Sequence, residues 1–271
     1  MGRRASRRTP EERGIRMERT MTERLASEFV GAFALIFVGA GSVVMFTTFG
    51  LLPAGIVGVA FAHGIAIAVM VSAVGHVSGA HFNPAVTIGA WITQKIKSAD
   101  AVGYIFAQLA GGTVGAALLR ACLPGPVVKQ AKYGVPEVVK GLSNGQGVLI
   151  EAILAFFLVW VIFATAIDPD GAFGKIAGLA IGLTITMDIL MGGLFTGAAM
   201  NPARHFGPAI IGGNWANWWV YWVGPIAGGI VAAAAYDGLI IRRPGSVAAE
   251  ESKHGFGAHG EDTPRPEDEH P

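Results

Sequence analysis

The tripeptide Asn-Pro-Ala occurs twice in this 271-residue chain, at Asn83-Pro84-Ala85 and at Asn201-Pro202-Ala203. Asparagine is a strong helix N-cap, and proline suits the first helical position because it has no N–H to leave orphaned. Each tripeptide therefore reads as a helix start, followed by VTIGAW in one case and RHFGPAI in the other. A helix start exposes unpaired N–H groups and about half a positive charge from the helix dipole. Two such starts facing each other would repel cations, and the Asn83 and Asn201 amides would donate to a water oxygen held between them. The preceding turns, Gly79, Ala80, His81 and Phe82 in one copy and Gly197, Ala198, Ala199 and Met200 in the other, would expose carbonyls that accept from water. One copy alone means no more than a capped helix. Two copies in matching places of a repeat carry more.

Other polar residues interrupt apolar runs. Arg204 follows the second tripeptide directly. An arginine in an apolar segment is costly, so it either faces a wet lumen or snorkels to the surface. His63 stands alone in an apolar run and reads equally as a core histidine or a lumen residue. Glu28 and Glu151 sit in apolar helices, where they would relay protons or accept hydrogen bonds from nearby loop backbone. Asp188 would be either protonated or bonded to a loop amide. Cys122, the single cysteine, reads as a small buried apolar residue. No nucleophile–base pair, phosphate loop or metal-spaced cluster appears, so neither an enzyme, a metal nor a cofactor is expected.

The elements that must position these residues belong to a membrane protein. Hydrophobic residues make up 52% of the chain and charged ones only 14%, well below the usual soluble fraction. A net charge of +1 excludes a strongly basic nucleic-acid binder. Six runs are long enough to span a bilayer, at about 22–46, 53–74, 99–121, 147–167, 174–193 and 217–241. Residues 84–93 and 202–211 are too short to cross and read as half-helices. Glu28 lies 55 residues before Asn83 and Glu151 lies 50 before Asn201, so the chain repeats itself. Three spans per half make the second copy inverted, an arrangement that puts a solute site near the midplane.

The expected architecture is an all-α membrane protein of six transmembrane helices plus two re-entrant half-helices. Residues 1–21 form a disordered basic tail, 22–121 the first repeat, 122–146 an extracytoplasmic loop, 147–241 the second repeat and 242–271 a disordered tail. Lys95, Lys97, Lys175, Arg242 and the basic N-terminal tail fall on one side, which places both termini in the cytoplasm. The glycine pairs 111/115, 178/182 and 224/228 have the small-xxx-small spacing of close helix packing.

The stretches Gly75–Thr87 and Asn201–Arg204 resemble the two signature loops of the aquaporins, or major intrinsic proteins. The resemblance spans about residues 25–241 and implies an aquaporin-like bundle with one pore per subunit, assembled as a homotetramer. The stretches Ala164–Pro169 and Tyr221–Pro225 are most similar to the plant tonoplast branch or a prokaryotic relative. Carried over by spacing, the family's constriction falls on His63, Ile189, Ala198 and Arg204, which makes His63 pore-lining. The family also favours loop support for Glu28 and Glu151. Neither Ile189 nor Ala198 is aromatic and His205 follows Arg204, which departs from the pattern of glycerol facilitators. The resemblance implies a passive channel for water, with ammonia, hydrogen peroxide or urea as further neutral solutes; a plasma (inner) membrane is the expected location. A glycerol facilitator is the alternative. A coupled secondary transporter is the rival from another class, since it also uses inverted repeats with broken helices.

Overall fold

A computed structural model describes residues 19–52, 54–171 and 174–242. The two expected tails lie outside these residues apart from 19–21 and Arg242. The described chain is all-helical. Six helices are long and apolar enough to cross a membrane: α1 (Met21–Thr48), α2 (Ile56–Ser78), α4 (Ser98–Cys122), α6 (Asn144–Ile167), α7 (Gly174–Gly192) and α9 (Val220–Ile241). Between them lie the short α3 (Pro84–Ile92), α5 (Gly125–Gln130) and α8 (Pro202–Gly212). The expected fold class is thus the observed one, with helix ends displaced by only a few residues.

Helix starts follow their caps. Thr20 begins α1 with a capping box, its side chain accepting from the Glu23 N–H while Glu23 accepts from the Thr20 N–H. Ser143 and Gln146 do the same for α6. The outer faces carry large exposed apolar side chains such as Phe106, Ile65, Leu149 and Val231. In water such a surface would be a liability, whereas in lipid it is the required one.

With lipid outside, helices gain little from hiding apolar area and must instead pack closely. The six paired glycines do this. A Cβ at Gly111 would lie 2.2 Å from the Phe29 carbonyl oxygen, and one at Gly228 would lie 1.9 Å from that of Ala152. Gly115, Gly178, Gly182 and Gly224 each come within 2.9 Å of a neighbouring backbone oxygen by the same construction. The glycine pairs hold α4 on α1, α7 on α2 and α9 on α6. The half-helices α3 and α8 are enclosed by the long ones, α3 against α9 and α8 against α4.

The basic residues near one end are tied down by charge. Arg24 pairs with Asp100 at 2.9 Å, while Lys95 and Arg242 share Asp237 at 2.6 and 2.7 Å. Cys122 departs from expectation: it is exposed, not buried, because α4 ends there.

Candidate functional site

The two half-helix starts meet tip to tip. Asn83 caps α3, its side-chain oxygen accepting from the Ala85 N–H at 2.8 Å. Asn201 caps α8 and accepts from the N–H groups of Ala203 and Arg204 at 2.9 and 3.3 Å. Each asparagine then reaches across to the other half. Asn83 Nδ2 donates to the Met200 carbonyl at 2.8 Å, and Asn201 Nδ2 donates to the Phe82 carbonyl at 3.0 Å. An amide NH₂ carries two hydrogens, so each asparagine keeps one donor for the cavity that both line. Pro84, Ala85, Pro202 and Ala203 are buried at the two tips.

The approach loops repeat the same backbone. Gly79, Ala80 and Phe82 have φ of +88°, +53° and +52°, and Gly197, Ala198 and Met200 have +86°, +43° and +53°. Left-handed conformations at non-glycine residues cost about 1–2 kcal/mol each, so each loop stores strain that its surroundings must offset. The buried glutamates supply that. Glu28 accepts from Ser78 Oγ at 2.7 Å and from the N–H groups of His81 and Phe82 at 2.9 and 2.7 Å. Glu151 accepts from Thr196 Oγ1 at 2.7 Å and from the N–H groups of Ala199 and Met200 at 3.0 and 2.7 Å. Each carboxyl thus accepts from the backbone of its own approach loop. Tyr104 and Tyr221, matched residues on α4 and α9, complete each anchor by donating to the carbonyls of Ser78 and Thr196 at 2.7 and 2.9 Å.

The four residues carried over as a constriction gather in one place. His63, Ile189, Ala198 and Arg204 line the same narrow cavity as the two asparagines. The cavity volume open to water there is about 30 Å³, room for only about two water molecules. One wall is apolar, built by Leu35, Ile67, Ile181 and Ile185; loop residues from Ala80 to Asn83 and from Ala198 to Asn201 form the polar side. The cavity shares His81 and Ile162 with a recess of about 560 Å³ at the basic end. It shares Ile189 and Arg204 with a second recess, of about 120 Å³, at the far end. Gly79 lies in the first recess and Gly197 in the second, at the outer limits of the two loops.

Arg204 does not snorkel. It is buried, its Nε donating to His63 Nε2 at 3.1 Å and its Nη1 to the Gly134 carbonyl at 2.8 Å. His63 Nδ1 contacts the Val59 carbonyl at 2.8 Å. A carbonyl can only accept, so Nδ1 carries the hydrogen and Nε2 offers its lone pair to the arginine. Both ring nitrogens are therefore spent on protein partners. The remaining guanidinium hydrogens of Arg204 are then the polar contribution on that side.

Several contacts were not read from sequence. Tyr104 and Tyr221 lie 21 and 20 residues after the capping asparagines, a signal that the repeat itself contains. Gln108 Nε2 adds a donor to Glu28 at 2.8 Å and also reaches Thr87 Oγ1 at 3.0 Å. His205 is fully buried and stacks on Tyr221, with ring centroids 4.7 Å apart and planes inclined by 13°. Asp188, 1% exposed, makes no hydrogen bond to a loop amide; among the described residues neither of its oxygens has a partner. Among the described residues no cluster of His, Cys, Asp or Glu is placed to hold a metal.

Six spanning helices, two half-helices joined at their capped ends and a narrow cavity beside that joint define a multi-pass integral membrane channel. The chain belongs to the major intrinsic protein family, whose model matches residues 16–236. Among similar proteins, Aquaporin TIP4-4 of Zea mays is 43% identical over 225 residues, covering 81% of this chain and 87% of that one. Probable aquaporin TIP3-2 of Arabidopsis thaliana is 44% identical over 225 residues, covering 79% and 82%. In three dimensions the chain is similar to the aquaglyceroporin from Plasmodium falciparum, with a TM-score of 0.75 and 27% identity over 82% of this chain and 97% of that one.

Proposed function

We propose that the chain conducts water passively through the cavity between the two asparagine tips, with His63, Ile189, Ala198 and Arg204 as its constriction. The observation that carries this is the crossed pair of bonds from Asn83 to Met200 and from Asn201 to Phe82. It fixes two positive helix ends face to face and leaves one amide donor on each. A water entering that gap accepts from the tips, so its own hydrogens point outward to carbonyls on either side. Such a file carries water while interrupting proton transfer, and the paired dipoles with Arg204 disfavour cations.

Ala198 is small and Ile189 adds no polar group, which leaves room for other small neutral solutes such as ammonia, hydrogen peroxide or urea. Glycerol is the alternative solute, since the similar solved structure is an aquaglyceroporin. Assembly as a homotetramer in a plasma (inner) membrane, with both termini cytoplasmic, completes the reading. Lys95, Arg24 and Arg242 at one end agree with that orientation.

The test is stopped-flow light scattering on the full chain in liposomes, with water, ammonia, urea and glycerol compared. Fast water shrinkage with weak temperature dependence and little glycerol entry is the expected result. Glycerol entry approaching that of water supports the facilitator, and saturable flux that follows an ion gradient supports a coupled transporter instead.

A further inference from the structure

The loop between α4 and α6 has a role that neither the repeat nor the tips explain. Lys132, Tyr133 and Gly134 are three successive residues in the left-handed region, with φ of +47°, +59° and +71°. Two of them are not glycine, and a short run of this kind is strained unless it is held from outside. The Gly134 carbonyl that this turn presents is the one that accepts from Arg204 Nη1.

Besides its own backbone bonds from Gly134 to Ala131 and from Val135 to Lys132, the turn is braced by Glu137. Its carboxylate receives Lys132 Nζ at 2.7 and 3.0 Å, so an exposed ion pair ties the first of the strained residues to the chain that follows the last. The same carboxylate accepts from Asn214 Nδ2 at 2.7 Å, just beyond the end of α8, the half-helix that carries Arg204. The loop is also seated on the second approach loop. The Val139 N–H donates to the Phe195 carbonyl at 2.8 Å, and a Cβ on Gly197 would lie 2.5 Å from Pro136. Glu137 thus joins the strained turn to the far end of the helix whose near end bears the arginine. Arg24–Asp100 and Lys95–Asp237 at the opposite end tie helices together and touch no carbonyl of the first tip.

We propose that the clasp formed by Lys132, Glu137 and Asn214 is a specificity-determining device: it fixes the Gly134 carbonyl, which in turn pins the Arg204 guanidinium to the cavity wall. Glu137 is a positioning residue that acts through Gly134. The proposal rests on the reading of the cavity as a water path lined by Arg204. Without the clasp the turn relaxes, Arg204 keeps His63 as its side-chain partner, and its free Nη1 swings into a passage that has no width to spare. Water then has to displace a guanidinium at each passage.

The experiment compares the wild-type full chain with Glu137→Ala, Lys132→Met and Glu137→Asp in liposomes, each checked for a monodisperse folded protein. Water permeability is measured over a temperature range, beside urea entry. A smaller folded fraction would lower every flux in proportion and leave the Arrhenius slope unchanged, whereas a misplaced Arg204 steepens the slope. Glu137→Ala is expected to lower water permeability about threefold and steepen the slope, in keeping with the loss of a partly exposed ion pair. Lys132→Met, which leaves the bond to Asn214 in place, is expected to give a smaller change of the same sign, and Glu137→Asp a partial return. If Glu137→Ala does not fold, the slope of Lys132→Met alone decides. A wild type that conducts water while the folded variants keep its slope and its urea-to-water ratio overturns the proposal. A wild type that does not conduct water overturns the reading beneath it.

Discussion

The two approach loops share one backbone, yet different groups hold them. In the first half, Glu28 accepts from Ser78, His81 and Phe82 and also from Gln108, which reaches on to Thr87. In the second half, Glu151 has its three loop donors, and α9 offers Pro225 near the level where α4 offers Gln108. The place matching Thr87 is taken by His205, whose ring stacks on Tyr221 and has no hydrogen-bond partner among the described residues. Among the described residues only the second half carries a buried cation, Arg204, held by His63 and by the loop at Gly134. The first half is therefore a self-sufficient scaffold. The second half trades some of that support for a charged group on the cavity wall, which other elements then have to secure.

Removing the glutamates should separate the two roles. Glu28→Ala leaves four donors without an acceptor and Glu151→Ala leaves three. Each unsatisfied buried group costs about 1–3 kcal/mol, so both variants lose several kcal/mol, Glu28→Ala the more. Thermal unfolding of the purified proteins should rank them in that order. Water flux among the surviving folded molecules should rank them in reverse, because the Glu151 loop sits beside Arg204. A matching loss in both readouts would erase the distinction drawn between the halves.

Arg204→Val keeps the second loop and removes its charge. The urea-to-water permeability ratio should rise roughly tenfold, the order expected when a site loses a hydrogen-bonding and steric discriminator. Proton leak measured in the same liposomes should rise with it. An unchanged ratio would mean that the apolar pair Ile189 and Ala198 sets the selectivity alone. Gln108→Leu has the smallest expected effect. It removes one neutral donor from Glu28, lowering stability by about 1 kcal/mol and leaving flux unaltered.

Much of this was legible in the chain. Two capped helix starts, six apolar runs and a glutamate in each half gave the helical architecture, because bilayer thickness and capping chemistry leave few alternatives. The paired glycines announced close packing, since nothing else explains their spacing in apolar helices. The partners of the site were harder to read. His63 and Arg204 are 141 residues apart in sequence, and only the assembled bundle makes one the acceptor for the other. The left-handed turn at Lys132–Gly134 has one glycine where three positions need its freedom, so the sequence carries too weak a signal for it. Asp188 stands as a buried carboxyl beside Ile189 whose two oxygens are both unpartnered among the described residues, and no neighbour in sequence foretold that.

The central claim is that the asparagine tips meet and share a water. The most direct measurement is an experimental structure in lipid at a resolution that shows ordered water. A water within hydrogen-bond reach of both Asn83 Nδ2 and Asn201 Nδ2, flanked by waters turned toward the two rows of carbonyls, is the predicted result. Tips drawn apart, or a joint closed by side chains with no water between them, would contradict it.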